Sequence, residues 1–129
     1  MFVAGGGKLG VWHGLDANGG ARKPDVTPSG SGPHLDASAN VIAVATGSGR
    51  VNYFAPASSL TSDTKYDTLK VAPALYGMDL SDDARTLAAV GDDQVYLIDH
   101  GAGGLSLRAA LPIGGPSTSP SHQDVVLVE

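Results

Sequence analysis

Three sets of residues in this chain have the types that chemistry uses. The first is Gly5-x-Gly7-x-x-Gly10, which follows the apolar run Met1 to Ala4 and matches the dinucleotide-binding fingerprint. That fingerprint works only when a helix begins at the glycines, so that its first N–H groups hold a pyrophosphate. It also needs a second strand ending in an acid about 20 residues later. Gly14 and then Asn18-Gly19-Gly20 would interrupt such a helix, and Asp25 lies in a proline-rich stretch. The residues therefore read as a hairpin turn, and no cofactor is expected. Gly7-Lys8 is no phosphate-binding loop either, because Leu9 stands where a Ser or Thr would hold magnesium.

The second set is the carboxylate pairs Asp82-Asp83 and Asp92-Asp93. Acid–base catalysis uses such a pair only if one member is desolvated and its pKa raised. In tight turns, aspartates usually accept backbone N–H bonds instead. The third set is His13, His34, His100 and His122, none at i,i+4 or His-x-His spacing, so no metal site is expected. They read as surface or turn histidines. With no Gly-x-Ser-x-Gly elbow, no catalytic residue is assigned and the chain reads as a non-enzyme.

The elements that position these residues are short strands. Tyr76 to Asp99 is the clearest stretch: apolar runs at Tyr76–Leu80, Thr86–Val90 and Val95–Ile98 are separated by Ser81-Asp82-Asp83 and Gly91-Asp92-Asp93. Turn signals at this interval predict an antiparallel meander. Further strands are expected at Phe2–Ala4, Leu9–Trp12, His34–Asp36, Val41–Thr46, Arg50–Phe54, Lys65–Val71, Leu105–Leu111 and Val125–Val128. Residues 13–32 read as loop with a poor strand around Val26, and 100–104 as a glycine turn.

Composition agrees with an all-β chain. Eighteen glycines and eight prolines among 129 residues favour turns and oppose long helices, while 42% apolar residues are enough for a core. The net charge is −5, and the eight Lys and Arg form no cluster, so nucleic-acid binding through a basic patch is not expected. Cysteine is absent, which excludes disulfides and thiolate metal sites and is compatible with a reducing compartment. No apolar run reaches the roughly 20 residues that span a bilayer. Met1 to Ala4 has no basic leader. A cytoplasmic protein with no membrane contact is the expectation.

The strands repeat. Gly5, Gly47 and Gly91 fall 42 and 44 residues apart, each after a run of small apolar residues. Four residues beyond each glycine comes Leu9, Val51 or Val95, and then a short run ending in Trp12, Phe54 or Ile98. A partial further copy leads from Thr118-Ser119-Pro120-Ser121 into Val125–Val128. A period near 40 to 45 residues with four strands per unit is the pattern of propeller blades.

With these residues the chain resembles the WD-repeat family of β-propellers, MDLSDDARTLAAVGDDQVYLID being similar to the inner three strands of a blade. The resemblance covers most of the chain. It departs from the family at the Trp-Asp dipeptide, where Trp12 is followed by His13 and Phe54 by Ala55, and only Ile98-Asp99 keeps the acid. It implies propeller blades of four-stranded antiparallel meanders in an incomplete ring, with units of approximately 1–28, 29–72, 73–112 and a partial 113–129. The chain would open at the second strand of one blade and close at the second strand of another. The implied function is a non-catalytic scaffold that binds other proteins through a rim carrying Lys8, His34, Arg50, Tyr76, Asp92 and Asp93. About three blades with open edges imply a fragment of a larger propeller, the alternative being a ring completed by self-association. The alternative is a segment of a propeller enzyme or ligand-binding propeller, whose histidines and carboxylates would converge.

Overall fold

The computed structural model describes residues 2–5, 8–16, 19–26, 34–61, 65–113 and 124–128. The chain is all-β. Strands β1 (Phe2–Gly5), β2 (Lys8–Asp16) and β3 (Gly19–Val26) form a first antiparallel sheet in chain order. The second sheet holds β4 (His34–Ser38), β5 (Val41–Ala45), β6 (Arg50–Phe54) and β7 (Asp67–Lys70). The third holds β8 (Gly77–Leu80), β9 (Thr86–Val90), β10 (Gln94–Gly101) and β11 (Gly104–Pro112), and both four-stranded sheets are simple meanders. A 3-10 turn at Ala57–Ser59 interrupts the β6–β7 connection.

Why the sheets stack follows from β5. Its sequence, Val-Ile-Ala-Val-Ala, has no polar residue on either side of the pleat, and all five residues are buried. Side chains alternate across a strand, so such a run must be covered on both faces. Val41, Ala43 and Ala45 join Val51 and Tyr53 against Leu80, Leu87, Ala89 and Ile98 of the third sheet. Ile42 and Val44 point the other way, with Phe54, onto Leu9 of β2 and onto Ala57 and Leu60. The second sheet is therefore the middle layer of three. Within the stack β4 lies against β8 and β7 against β11, inner strand on inner and outer on outer.

Aspartates in the inner strands clasp one layer to the next. Asp36 of β4 accepts the backbone N–H of Leu80, 2.8 Å away in β8, on Oδ2, and the N–H of Ala37 on Oδ1. Asp79 of β8 repeats this, accepting the N–H of Leu127 at 2.5 Å. Asp36 stands opposite Ala43, and Asp79 opposite Ala88, so the two acids hold the same rung of successive sheets. A hydrogen bond to a charged acceptor is worth about 1.5–3 kcal/mol. Asp36→Ala is expected to lower stability by about 1.5 kcal/mol, Asp36 being half-buried, with Asp36→Asn less harmful. Denaturant midpoints of the two variants check this.

Several expectations need correction. Residues 13–16 continue β2, and 19–26 are a strand where loop is the expectation. Pro24 is tolerated there because β3 is an edge strand and the β2–β3 register shifts between Leu9 and Val11, leaving Pro24 out of the ladder. Lys65–Val71 shortens to Asp67–Lys70. Beside it, Tyr66 packs on Phe54 with ring centroids 4.6 Å apart. His100 belongs to β10 and not to a turn, since the β10–β11 hairpin closes at Gly101–Gly104. The glycine alignment slips by one: the turn bond Gly91 N–H to Gln94 O is matched by Thr46 N–H to Arg50 O, so Thr46, not Gly47, is the counterpart of Gly91. Residues 124–128 make no ladder pairing, and Leu127 lies beside β8 in the place of a first strand, not a second. Thr118 to Ser121 lie outside the described residues.

Candidate functional site

One end of the stack gathers three connections: the β5–β6 turn, the crossing 71–76 and the β9–β10 turn. The crossing is pinned at both ends. The Gly49 carbonyl accepts the N–H groups of Val71 at 2.9 Å and Ala72 at 3.4 Å. At the far end the Tyr76 N–H donates to Val90 O at 2.8 Å, and a side chain at Gly91 would meet Ala74 O at 3.2 Å. Tyr76 also donates its hydroxyl to Asp92. That bond raises the Tyr76 pKa, ahead of burial and of the charge of Asp92 itself.

Five of the six expected rim residues have described side chains, and strand direction puts all five at this end. Arg50 opens β6 opposite Lys70, and His34 opens β4 opposite Ala45. Tyr76, Arg50 and His34 are half-buried, while Asp92 and Asp93 are exposed. Among these five, the bond between Tyr76 and Asp92 joins two of them directly. Lys8 opens β2, so its backbone is at the same end, and its side chain lies outside the described residues. Gly5 pairs with Lys8 and Gly10 with Val3 in the β1–β2 hairpin, Gly7 lies outside the described residues, and Lys8–Asp16 is a strand where a dinucleotide site needs a helix.

A second feature, which spacing does not reveal, lies between the outer strands. His100 of β10 stacks on Tyr53 of β6, ring centroids 3.8 Å apart and 8° from parallel. Its Nε2 lies 2.8 Å from Asp67 Oδ2 in β7. The Tyr53 hydroxyl donates to Ala84 O at 2.8 Å. A groove of about 170 Å³ runs past these residues, lined also by Ala55, Lys65 and Tyr66. It holds an oriented imidazole, and its lining includes no Ser, Thr or Cys for that imidazole to activate as in a hydrolase triad. The partners lie 33 residues apart in the chain, which no local motif could signal.

A larger cleft of about 310 Å³ lies where Asp36, Ser38, Asp79, Asp82 and Leu127 meet. Its carboxylates at 36 and 79 are committed to the inter-sheet bonds, and Ser38 donates to Asp82 O at 2.8 Å. Among the described residues no group of three or more His, Asp or Glu is placed to hold a metal ion. No described helix is long and apolar enough to cross a membrane.

Two carboxylates are tuned downwards, the direction opposite to a general acid. Asp83 is lowered first by the Ser81 hydroxyl at 2.7 Å and then by the Arg85 N–H at 3.0 Å. Asp99 is lowered first by its hydrogen bonds from Arg108, whose Nε lies 2.8 Å from Oδ2 and whose Nη2 meets Oδ1, and then by the guanidinium charge. A depressed folded pKa gives stability that is present above the unfolded value near about 3.9 and lost as pH falls through the folded one. The melting temperature is expected to hold steady from neutral pH down to about pH 5 and to fall below about pH 4. Asp83→Asn with Asp99→Asn should shrink that fall. An unchanged acid limb in the double variant would assign it to other groups.

The chain's likeness to known proteins adds no further constraint: no protein-family model and no curated protein matches it.

Proposed function

We propose that this protein is a non-catalytic scaffold of the WD-repeat-like propeller type, which binds other proteins in the cytoplasm through the end carrying 46–50, 71–76 and 91–93. The observation that carries the reading is the pinned crossing. Gly49 at one side and Asp92 at the other hold 71–76 as a continuous, preorganised surface over two sheets. A preordered surface loses little entropy on binding, which is what a recognition face requires. Tyr76, bonded to Asp92, and Arg50, at the β5–β6 turn, are half-buried and are the residue types that dominate interface energetics. Two four-stranded meanders stacked inner strand on inner strand are also how propeller blades pack.

The test is affinity capture with the 129-residue chain as bait, run beside Arg50→Glu and the pair Asp92→Lys, Asp93→Lys. A partner bound by the parent and weakened at least about tenfold by either variant, with circular dichroism unchanged, supports the reading. Binding that both variants retain in full places the contact elsewhere and overturns it.

A further inference from the structure

One rung at the rim carries charge that the fold does not require. Arg50 of β6 stands directly opposite Lys70 of β7. Cross-strand partners bring their Cβ atoms to about 4.5–5.5 Å, and like charges placed there repel. The same rung of the third sheet is Gln94–Pro112, since Gln94 O accepts the Gly91 N–H as Arg50 O accepts that of Thr46. A sheet of this kind therefore closes at that position without any charge. Two of the eight Lys and Arg in a chain of net charge −5 meet where the fold asks for neither.

Both cations are held in place by the β5–β6 turn. Arg50 O accepts the Thr46 N–H at 2.8 Å, and the Arg50 N–H donates to Thr46 Oγ1 at 3.2 Å, Thr46 itself being fully buried. Lys70 precedes Val71, whose N–H donates to Gly49 O. Alternation puts Arg50 on the face of β6 that carries Asn52 and Phe54, toward the first sheet, and Asp92-Asp93 belongs to the sheet on the other side. Among the described residues, no carboxylate forms an ion pair with Arg50 or Lys70. Arg50 is half-buried and Lys70 exposed, so the rung is open to a ligand and partly shielded from water.

We infer that the Arg50–Lys70 rung is an anion-recognition point that takes a carboxylate side chain from an acidic segment of the partner protein. This rests on the rim reading and adds the chemistry of what the rim binds. A carboxylate between the two cations turns a repulsive rung into a charge-assisted, hydrogen-bonded one. The guanidinium offers it two parallel N–H bonds and the ammonium another. Because both backbones are fixed beforehand, little ordering is lost on binding. A polyanion such as a nucleic acid needs a longer run of cations, and the net charge of −5 opposes it.

Fluorescence anisotropy of the full chain with labelled peptides of alternating Glu and Gly, Gln and Gly, or phosphoserine and Gly tests it. The Glu peptide is expected to bind at least about tenfold more tightly than the Gln peptide. Lys70→Gln should abolish that preference. Because the substitution relieves the repulsion, its melting temperature should equal or exceed the parent's. Equal affinity for the Glu and Gln peptides, a preference that survives in Lys70→Gln, a destabilised Lys70→Gln, or binding of the phosphoserine peptide alone overturns the inference. Each of these leaves the rim reading standing. That reading fails instead if Arg50→Glu and the pair Asp92→Lys, Asp93→Lys retain the captured partner in full.

Discussion

Gly49→Ala is expected to lower stability by at least about 3 kcal/mol, more than any other single substitution at the rim. Gly49 has φ +83°, where an L residue is strained by about 1–2 kcal/mol. The larger problem is space. A Cβ built there would stand 1.6 Å from Ala72 O and 2.5 Å from Ala72 C, both backbone atoms that cannot rotate away. The crossing would have to lift, and the Val71 and Ala72 N–H bonds to Gly49 O, each worth about 1 kcal/mol, would go with it. Urea unfolding should show the midpoint collapse. Gly103→Ala is the control, because nothing lies within 4 Å of its added carbon, and its effect should stay within about 0.5 kcal/mol. Equal effects at the two glycines would mean that the crossing is not seated on Gly49.

Tyr53→Ala should cost about 3–5 kcal/mol, the usual range for truncating a buried aromatic residue. Tyr53 is 6% exposed, and the substitution removes both its packing in the main core and the platform under His100. Tyr53→Phe isolates the hydroxyl. It keeps the stack and leaves Ala84 O without its donor, for about 1 kcal/mol. Denaturant midpoints of both variants separate the two contributions. A Phe variant as damaged as the Ala variant would mean that the hydroxyl, and not the packing of the ring, accounts for the loss. Titration adds a check at the other end of the pH scale. Burial first, then the charges of Asp67 and Asp83, raises the Tyr53 pKa, and burial also leads for Tyr96. A raised folded pKa gives stability that is complete below the unfolded value near about 10 and lost as pH rises through the folded one. Alkaline unfolding should thus begin above about pH 10 and weaken in Tyr53→Phe.

How much of this was legible in the sequence differs by element. β5 and the Gly91-Asp92-Asp93 turn are readable because a strand covered on both faces leaves a continuous apolar run and a tight turn leaves its punctuation. The glycine period finds the repeat but places its rungs one residue out at Thr46. The β5–β6 turn is one residue longer than the β9–β10 turn, and its positive-φ glycine is Gly49, not the Gly47 that the period picks out. β3 hides behind Pro24 and its glycines, since an edge strand with a bulge needs little β propensity. Asp36 and Asp79 look like ordinary acids on a wet face. Stacking the aligned units would have set them on one rung, 43 residues apart, which is the only sequence signal for the inter-sheet bond. His100 with Asp67 had no signal, because the pairing is made by two sheets and not by any local spacing.

The Asp36 and Asp79 bonds have a bearing on how such a chain can change over evolutionary time. Each runs from a side chain to a main-chain N–H, so the acid recognises the presence of a peptide group and ignores the identity of the residue that carries it. The receiving position can take any residue except proline. A unit that carries its own adhesive in this form can be duplicated, inserted or exchanged without recoding the unit beside it, and the loss of one acid loosens one seam while leaving the others intact.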